Sequence, residues 1–244
     1  MRNLSRLDVI RLSVLSTLLL MLFATSCSQK HSSVMEPIAK SYGLDSYGQI
    51  EGIRYTFNID IPVLKLARTW EWNPKTNTVT YEGKDKDGKP MKVTYQRSQL
   101  SSQSNAVKEV DAGFTNDNYW LVFPFHAYWD TAANVEDKGM QELPLGSGSA
   151  RLVSVKYPSD VGYTPGDTWN LYVGQDNRVE QLLFQHGGTK KPSVVKATWE
   201  GYKKAGPLLV STEHRGTADG GPLHLFFSDV AVKLTGSDTW TNAQ

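Results

Sequence analysis

The sequence has one cysteine in 244 residues, so it forms no disulfide within the chain and no zinc site built on several cysteines. It also has no excess of charge, because 26 Lys and Arg residues stand against 25 Asp and Glu residues. That balance gives no reason to expect nucleic acid as a partner. The sequence contains no phosphate-binding loop, no dinucleotide fingerprint and no HExxH pair. We therefore expect no cofactor, no bound metal and no enzymatic activity.

The first 26 residues have the pattern of a secretory signal peptide. Arg2, Arg6 and Arg11 precede an almost wholly apolar run over residues 12–23, and small residues follow it. The run is shorter than the roughly 20 residues that a helix needs to cross a bilayer. We therefore predict that residues 1–26 are removed as a signal peptide.

Cys27 directly follows these small residues and precedes a polar stretch over residues 28–33. This arrangement resembles the lipobox of bacterial lipoproteins, in which the cysteine is acylated and becomes the first residue of the mature chain. The resemblance implies lipidation of Cys27, a flexible tether over 27–33 and anchoring in the bacterial envelope. Ser28 is compatible with sorting to the outer membrane, facing the periplasm. The alternative is an ordinary signal peptide followed by an incidental cysteine.

Alternation of apolar and polar residues dominates the chain after a short helix, which we predict over residues 34–42. From Ile53 to Ile61 every second residue is apolar, which is typical of a strand with one buried face. No later segment has the length and periodicity of a crossover helix, so we expect antiparallel rather than parallel pairing. The predicted strands are 53–61, 64–72, 78–82, 91–97, 151–157, 168–174, 179–186, 194–200, 208–215 and 223–232.

The segments between these strands are less regular. Residues 98–105 and 143–149 are rich in small and polar residues, and we expect loops there. Residues 114–129 form the most aromatic stretch of the chain. This stretch is compatible with a helix that begins near Asn116 or with a strand, and Pro124 would end a helix.

The sequence over residues 118–125, followed by 163–169 and 171–173, is similar to uncharacterised envelope proteins of the LolA-like lipoprotein-carrier superfamily. The resemblance covers most of residues 34–235. It implies a mainly β, LolA-like half-barrel, in which one strongly curved antiparallel sheet carries a few short helices on its concave side. We assign this single domain to residues 34–244. The resemblance also implies that the concave side holds a lipid or an acyl chain.

Residue parity assigns one set of large side chains to the concave face of the predicted sheet. Aromatic and aliphatic walls suit a hydrophobic ligand. We predict a hydrophobic cavity with the ligand-binding residues Tyr55, Phe57, Leu66, Arg68, Trp70, Tyr81, Tyr95 and Arg97. The alternative is that the same side chains only fill the core.

Arg68 and Arg97 lie at positions of their strands where the alternating pattern would place an apolar, inward-facing residue. A guanidinium directed inward needs a partner, because an unpaired buried charge costs several kcal/mol. One hypothesis is that one or both bind the phosphate or carboxylate of a lipid. The alternatives are an internal salt bridge, stacking on a tryptophan, or a position at the rim of the sheet.

Histidines give little support for catalysis or metal binding. His186, His214 and His224 lie on predicted strands and could converge with Glu213 or Asp229, but their spacing is not that of a zinc site. The sequence therefore favours a non-enzymatic, lipid-anchored envelope protein that binds or carries a hydrophobic ligand. Its partners would be the membrane, through the acyl anchor, and that ligand. The alternative is a structural lipoprotein with a filled core that docks a periplasmic protein, and an enzyme ranks third.

Overall fold

The computed structural model describes residues 31–159, 164–188 and 191–244. The predicted signal peptide and Cys27 lie outside these residues. The described helices are α1 (Met35–Ser41), α2 (Asn105–Trp129) and two 3-10 helices, Leu44–Gln49 and Arg97–Ser102. Within the described ranges, no helix is both long enough and apolar enough to cross a membrane.

Thirteen strands in the described residues form one antiparallel sheet. They are β1 (Ile50–Ile61), β2 (Leu64–Asn73), β3 (Thr78–Lys84), β4 (Pro90–Gln96), β5 (Asn134–Glu142), β6 (Ser149–Lys156), β7 (Thr168–Val173), β8 (Val179–Gln185), β9 (Val194–Thr198), β10 (Glu200–Ala205), β11 (Leu208–Ala218), β12 (Gly221–Leu234) and β13 (Trp240–Asn242). Their order is β4-β3-β2-β1-β12-β11-β9-β8-β7-β6-β5, with β10 beside β11 and β13 beside β12. The sheet is open, and β4 and β5 are its edges.

Helix α2 connects these two edges and packs against side chains from both halves of the sheet. Phe114 contacts Trp70 of β2 with a ring separation of 5.5 Å, and Phe123 stacks on Trp169 of β7 at 4.3 Å. Strands β2 and β7 are far apart in the strand order, so the sheet must curve around the helix for both to reach it. The predicted fold class, a mainly β curved antiparallel sheet, is confirmed.

The sequence of α2 explains where the helix begins and why it bends. The Ser104 side chain accepts a hydrogen bond from the backbone N–H of Val107, which caps the first turn. Pro124 lies inside the helix, where it lacks an N–H for the usual backbone bond. Val122, two residues earlier, has non-helical angles (φ −124°, ψ 25°), so the helix bends there rather than ending.

Several boundaries differ from the sequence predictions. The aromatic segment 114–129 is helical, and its helix has 25 residues, so it is longer than the short helices we expected. The loop predicted over 98–105 is mostly a 3-10 helix. The strand predicted over 194–200 is two strands, β9 and β10, while β5 and β13 were not predicted.

Candidate functional site

A cavity of about 690 Å³ lies between the N-terminal half of α2 and the meander of β2, β3 and β4. Apolar side chains supply much of its wall, and charged side chains cluster where the β3–β4 turn meets it. The lining residues are Leu66, Arg68, Trp70, Tyr81, Lys84, Asp85, Lys86, Pro90, Met91, Asn105, Ala106, Glu109, Val110 and Gly113. A volume of this size is within the usual range for a small-molecule site.

The structure separates the predicted ligand-binding residues into two groups. Four of them line the cavity, namely Leu66, Arg68, Trp70 and Tyr81. The others, Tyr55, Phe57, Tyr95 and Arg97, are not on its wall. Tyr55 and Phe57 are completely buried in the core. Alternation predicted which side chains share a face of the sheet, but the helix decides which of them a ligand could reach.

Arg68 connects the cavity wall to the helix through Asp117. Its Nε donates to Asp117 Oδ2 at 2.7 Å and its Nη2 donates to Asp117 Oδ1 at 2.5 Å. Trp70 Nε1 also donates to Asp117 Oδ2, at 2.8 Å. The guanidinium carbon lies 5.0 Å from the ring centre of Phe57. Asn116 Nδ2 also donates to Asp117 Oδ1, at 3.0 Å. Asp117 is therefore held by four donors, and Arg68 is fixed in the plane that a bidentate contact requires.

Burial and hydrogen bonding shift the pKa of the Asp117 carboxyl group in opposite directions. Burial raises the pKa of Asp117, while the charge and hydrogen bonds of Arg68 lower it; the balance leaves it above the usual value. The carboxylate therefore depends on these donors to remain charged.

Arg97 is paired in the same manner with a different acid on α2. Its Nε donates to Asp111 Oδ1 at 2.7 Å and its Nη2 donates to Thr115 Oγ1 at 2.8 Å. The hydroxyl of Tyr95 also donates to Asp111 Oδ1, at 3.0 Å. Both inward arginines thus have an internal salt bridge, as one of the sequence alternatives proposed. Only Arg68 combines its ion pair with a place on the cavity wall.

Sequence reasoning missed the helical side of the site. Asp117 lies in the stretch 114–129, for which the sequence left helix and strand open. Asp111 and Gly113 lie in residues 106–113, for which no element was predicted. One signal was present: only Asn118 separates Asp117 from the apolar run that begins at Tyr119, and an acid buried there needs a cation. The pairing partner was not deducible, because it depends on how the helix crosses the sheet.

The mouth of the cavity carries both signs of charge. Lys84 and Lys86 are exposed on the β3–β4 turn, and Glu109 is exposed on the helix side. The carboxylate of Asp85 accepts hydrogen bonds from the backbone N–H groups of Asp87 and Lys89, at 2.9 and 2.8 Å. Asp85 therefore shapes the turn, whereas the two lysines face solvent.

The histidines occupy separate environments. His126 Nε2 lies 2.7 Å from Asn118 Oδ1, and burial lowers the pKa of His126 to about 3. His214 Nδ1 lies 3.1 Å from the carbonyl oxygen of Thr198, and burial lowers the pKa of His214 to about 3 as well. His224 pairs with Glu213 at 3.0 Å, so one predicted convergence exists. Among the described residues, no three His, Cys, Asp or Glu side chains come together as a metal site would require.

The fold and the cavity together define a class: an open antiparallel sheet that curves around a long helix and leaves a pocket between them. Solved structures with a similar fold include a DUF1329 family protein from Desulfovibrio piger, at 8% identity and a TM-score of 0.45, covering 84% of this chain and 93% of that one. A domain from Vibrio parahaemolyticus, provisionally named an outer membrane lipoprotein-sorting protein, matches at 10% identity with a TM-score of 0.45. The match covers 82% of this chain and 92% of that one.

A LolA superfamily protein from Nitrosomonas europaea matches at 11% identity with a TM-score of 0.44, over 79% of this chain and 90% of that one. Likeness at this level concerns the fold alone. No protein-family model and no curated protein matches the chain.

Proposed function

We propose that this protein is a lipid-anchored protein of the bacterial envelope that binds a hydrophobic ligand in the cavity between α2 and the β2–β4 meander. The observation that carries the proposal is the cavity itself, at about 690 Å³. Its wall includes Leu66, Trp70, Tyr81, Met91 and Val110. Side chains of this kind bury the apolar part of a ligand, and few polar groups are needed to orient it.

The anchor in this proposal is Cys27, which is acylated and becomes the first residue of the mature chain when residues 1–26 are removed. Two or more acyl chains hold a protein stably on a membrane, because each buried methylene contributes about 0.8 kcal/mol. The residue after the cysteine, Ser28, supports a place on the outer membrane facing the periplasm. The function needs no chemical step, so we propose a binding or carrier protein rather than an enzyme.

Labelled palmitate tests the anchor in the bacterium that makes the protein. We expect the label to enter the parent chain and not Cys27→Ser. Ser28→Thr is the matched control, because it keeps the cysteine and a small polar residue after it. Equal labelling of the parent and Cys27→Ser would contradict the anchor.

Native mass spectrometry tests the ligand. We expect the mature chain, residues 27–244 with Cys27→Ser, to retain a lipid that comes from its host, since neither an attached acyl group nor the apolar run 12–23 then competes for the cavity. Leu66→Trp and Val110→Trp, which would fill the cavity from opposite walls, should both reduce the retained lipid. Met140→Trp is the control, because Met140 is exposed on β5. A mass without lipid in every sample would contradict the proposal.

A second function has support in the packed interior. Tyr55, Phe57 and Trp70 are fully buried, and helix α2 covers much of the inner face of the sheet. A lipoprotein with a filled core would instead dock a periplasmic protein through an edge strand or loop. Lipid-free mass spectra together with a protein cross-linked at β4 or β5 in cells would favour this function.

A further inference from the structure

Gly113 is a glycine that the fold does not require. It lies inside α2, at the ninth of its 25 residues, where glycine is less favourable than alanine by roughly 1 kcal/mol. Its φ is not positive. A Cβ built there would meet Arg68 Nη1 at 3.6 Å and Trp70 Cζ2 at 3.7 Å, which are ordinary contact distances. An alanine would therefore fit at this position. Neither steric crowding nor backbone conformation explains why the residue is glycine.

The space that this methyl group would occupy lies over the guanidinium of Arg68. Nε and Nη2 of Arg68 are engaged by Asp117, and Phe57 lies beside the guanidinium at 5.0 Å. Nη1 faces Gly113. Both residues line the cavity, and the Arg68 side chain keeps 23% of its surface exposed. The glycine thus leaves the Nη1 side of a fixed, charged donor without a side chain from position 113 over it.

We infer that the cavity takes a single-chain amphiphile whose anionic oxygen head binds Arg68 Nη1, and that Gly113 keeps the approach to this nitrogen open. The inference rests on the proposed function and names its ligand class. The chain of the ligand would lie against Leu66, Met91 and Val110. Lys84 and Lys86 at the mouth would attract the negative head before it enters. A carboxylate and a phosphate share the required chemistry, since both offer charged acceptor oxygens to a guanidinium.

Three amphiphiles with the same twelve-carbon chain distinguish the head groups: laurate, dodecyl phosphate and dodecylammonium. Each is titrated against the mature chain, residues 27–244 with Cys27→Ser, and its binding is measured by displacement of 11-(dansylamino)undecanoate. We expect laurate or dodecyl phosphate to bind about tenfold more tightly than dodecylammonium, since a hydrogen bond to a charged group is lost with the cationic head. The tighter of the two anions identifies the head.

Gly113→Ala is the decisive variant, because it should change two measurements in opposite directions. We expect a higher melting temperature, from the better helix former, and about tenfold weaker binding of the preferred anion. Binding of dodecylammonium should stay within twofold of the parent. Gly48→Ala is the matched control, since a Cβ there meets nothing within 4 Å, and it should leave the relative affinities unchanged.

The outcomes separate this inference from the proposed function. If all three amphiphiles bind equally well and Gly113→Ala weakens them equally, the cavity binds apolar chains but the head-group inference is wrong. If Gly113→Ala leaves anion binding unchanged, the inference is also wrong. If the parent binds none of the probes, both proposals fail together. A melting temperature that falls in Gly113→Ala would show that the glycine serves the packing of the helix, and this too would overturn the inference.

Discussion

Arg68 of β2 and Asp117 of α2 form a two-bond ion pair in which the carboxylate is completely buried while the arginine stays partly exposed. The pair holds the helix against the sheet next to the cavity. A buried pair of this kind is not in itself a large source of stability, because desolvation offsets much of the attraction. Replacing only one of the two residues, however, leaves the charge of the other without a partner.

Arg68→Met should destabilise the fold by about 3–5 kcal/mol, because Asp117 would remain in the core without its cation. Urea unfolding at neutral pH measures the loss. Lys92→Met is the control: Lys92 pairs with Glu82, but both side chains are more than 60% exposed, so the change should stay below about 1 kcal/mol. Equal losses in the two variants would contradict a special dependence of Asp117 on Arg68.

The double variant Arg68→Met with Asp117→Asn should be more stable than Arg68→Met alone. The amide removes the stranded charge, and its oxygen still accepts a hydrogen bond from Trp70 Nε1. Because the two residues touch, their effects should be non-additive by about 1–3 kcal/mol. A double-mutant cycle in urea measures this coupling, and additive losses would argue against the pairing seen in the structure.

Acid should destabilise the protein through its two buried histidines. Burial lowers the pKa values of His126 and His214 to about 3 in the folded protein, against an ordinary value of 6.5. Between these values the unfolded chain binds more protons, so stability falls as pH decreases. For both residues together, the free energy of unfolding decreases by at most about 4 kcal/mol between pH 7 and pH 5.

His126→Gln and His214→Gln should each reduce the dependence of unfolding free energy on pH in this range, by up to about half of that loss. The control is His186→Gln, since His186 is exposed. Urea unfolding at pH 5, 6 and 7 measures the slope for each variant. A slope that is the same in all three variants and the parent would contradict the assignment to the buried histidines.

A close contact joins Gly52 of β1 to Trp240 of β13. A Cβ built on Gly52 would lie 2.8 Å from Trp240 Cη2, too close for the ring to stay in place. Arg54 also lies over the Trp240 ring, at 4.8 Å. Gly52→Ala should therefore destabilise the parent by about 1–3 kcal/mol through overpacking.

The same substitution in a Trp240→Ala background should cost less than about 1 kcal/mol, because the ring that causes the clash is gone. Thermal or urea unfolding of the four proteins of the cycle measures the difference. An equal cost in both backgrounds would mean that Gly52 is needed for its backbone conformation rather than for the space that Trp240 occupies.

Strands with one buried face were predictable, and strands without one were not. In β1 the alternation of Ile53, Tyr55, Phe57 and Ile59 predicted the strand, because these side chains point toward the core and their neighbours do not. Strand β5 is an edge on which only Val135 is not fully exposed. Since neither of its faces is buried, its sequence has no apolar alternation to detect.

The bounds of helix α2 could not be predicted from the sequence either. The sequence indicated a cap near Asn116 and a stop at Pro124, both from rules about local preference. The structure begins the helix at Asn105, after a Ser104 cap, and continues it past Pro124. Tertiary packing decides this, because Tyr119, Phe123 and Phe125 on either side of the bend are all buried. Local rules do not contain that information, and so the pairing of Arg68 with Asp117 was beyond them.

The position of β12 in the strand order has a consequence for how the chain is made. This strand pairs with β1 on one side and β11 on the other, yet it spans Gly221–Leu234, near the end of the chain. During synthesis the outer side of β1 therefore stays unpaired until residues 221–234 have emerged. Contacts between such distant segments form slowly. A delay of this kind keeps a nascent polypeptide threadable until β12 is available, which is the state that the export we propose would require.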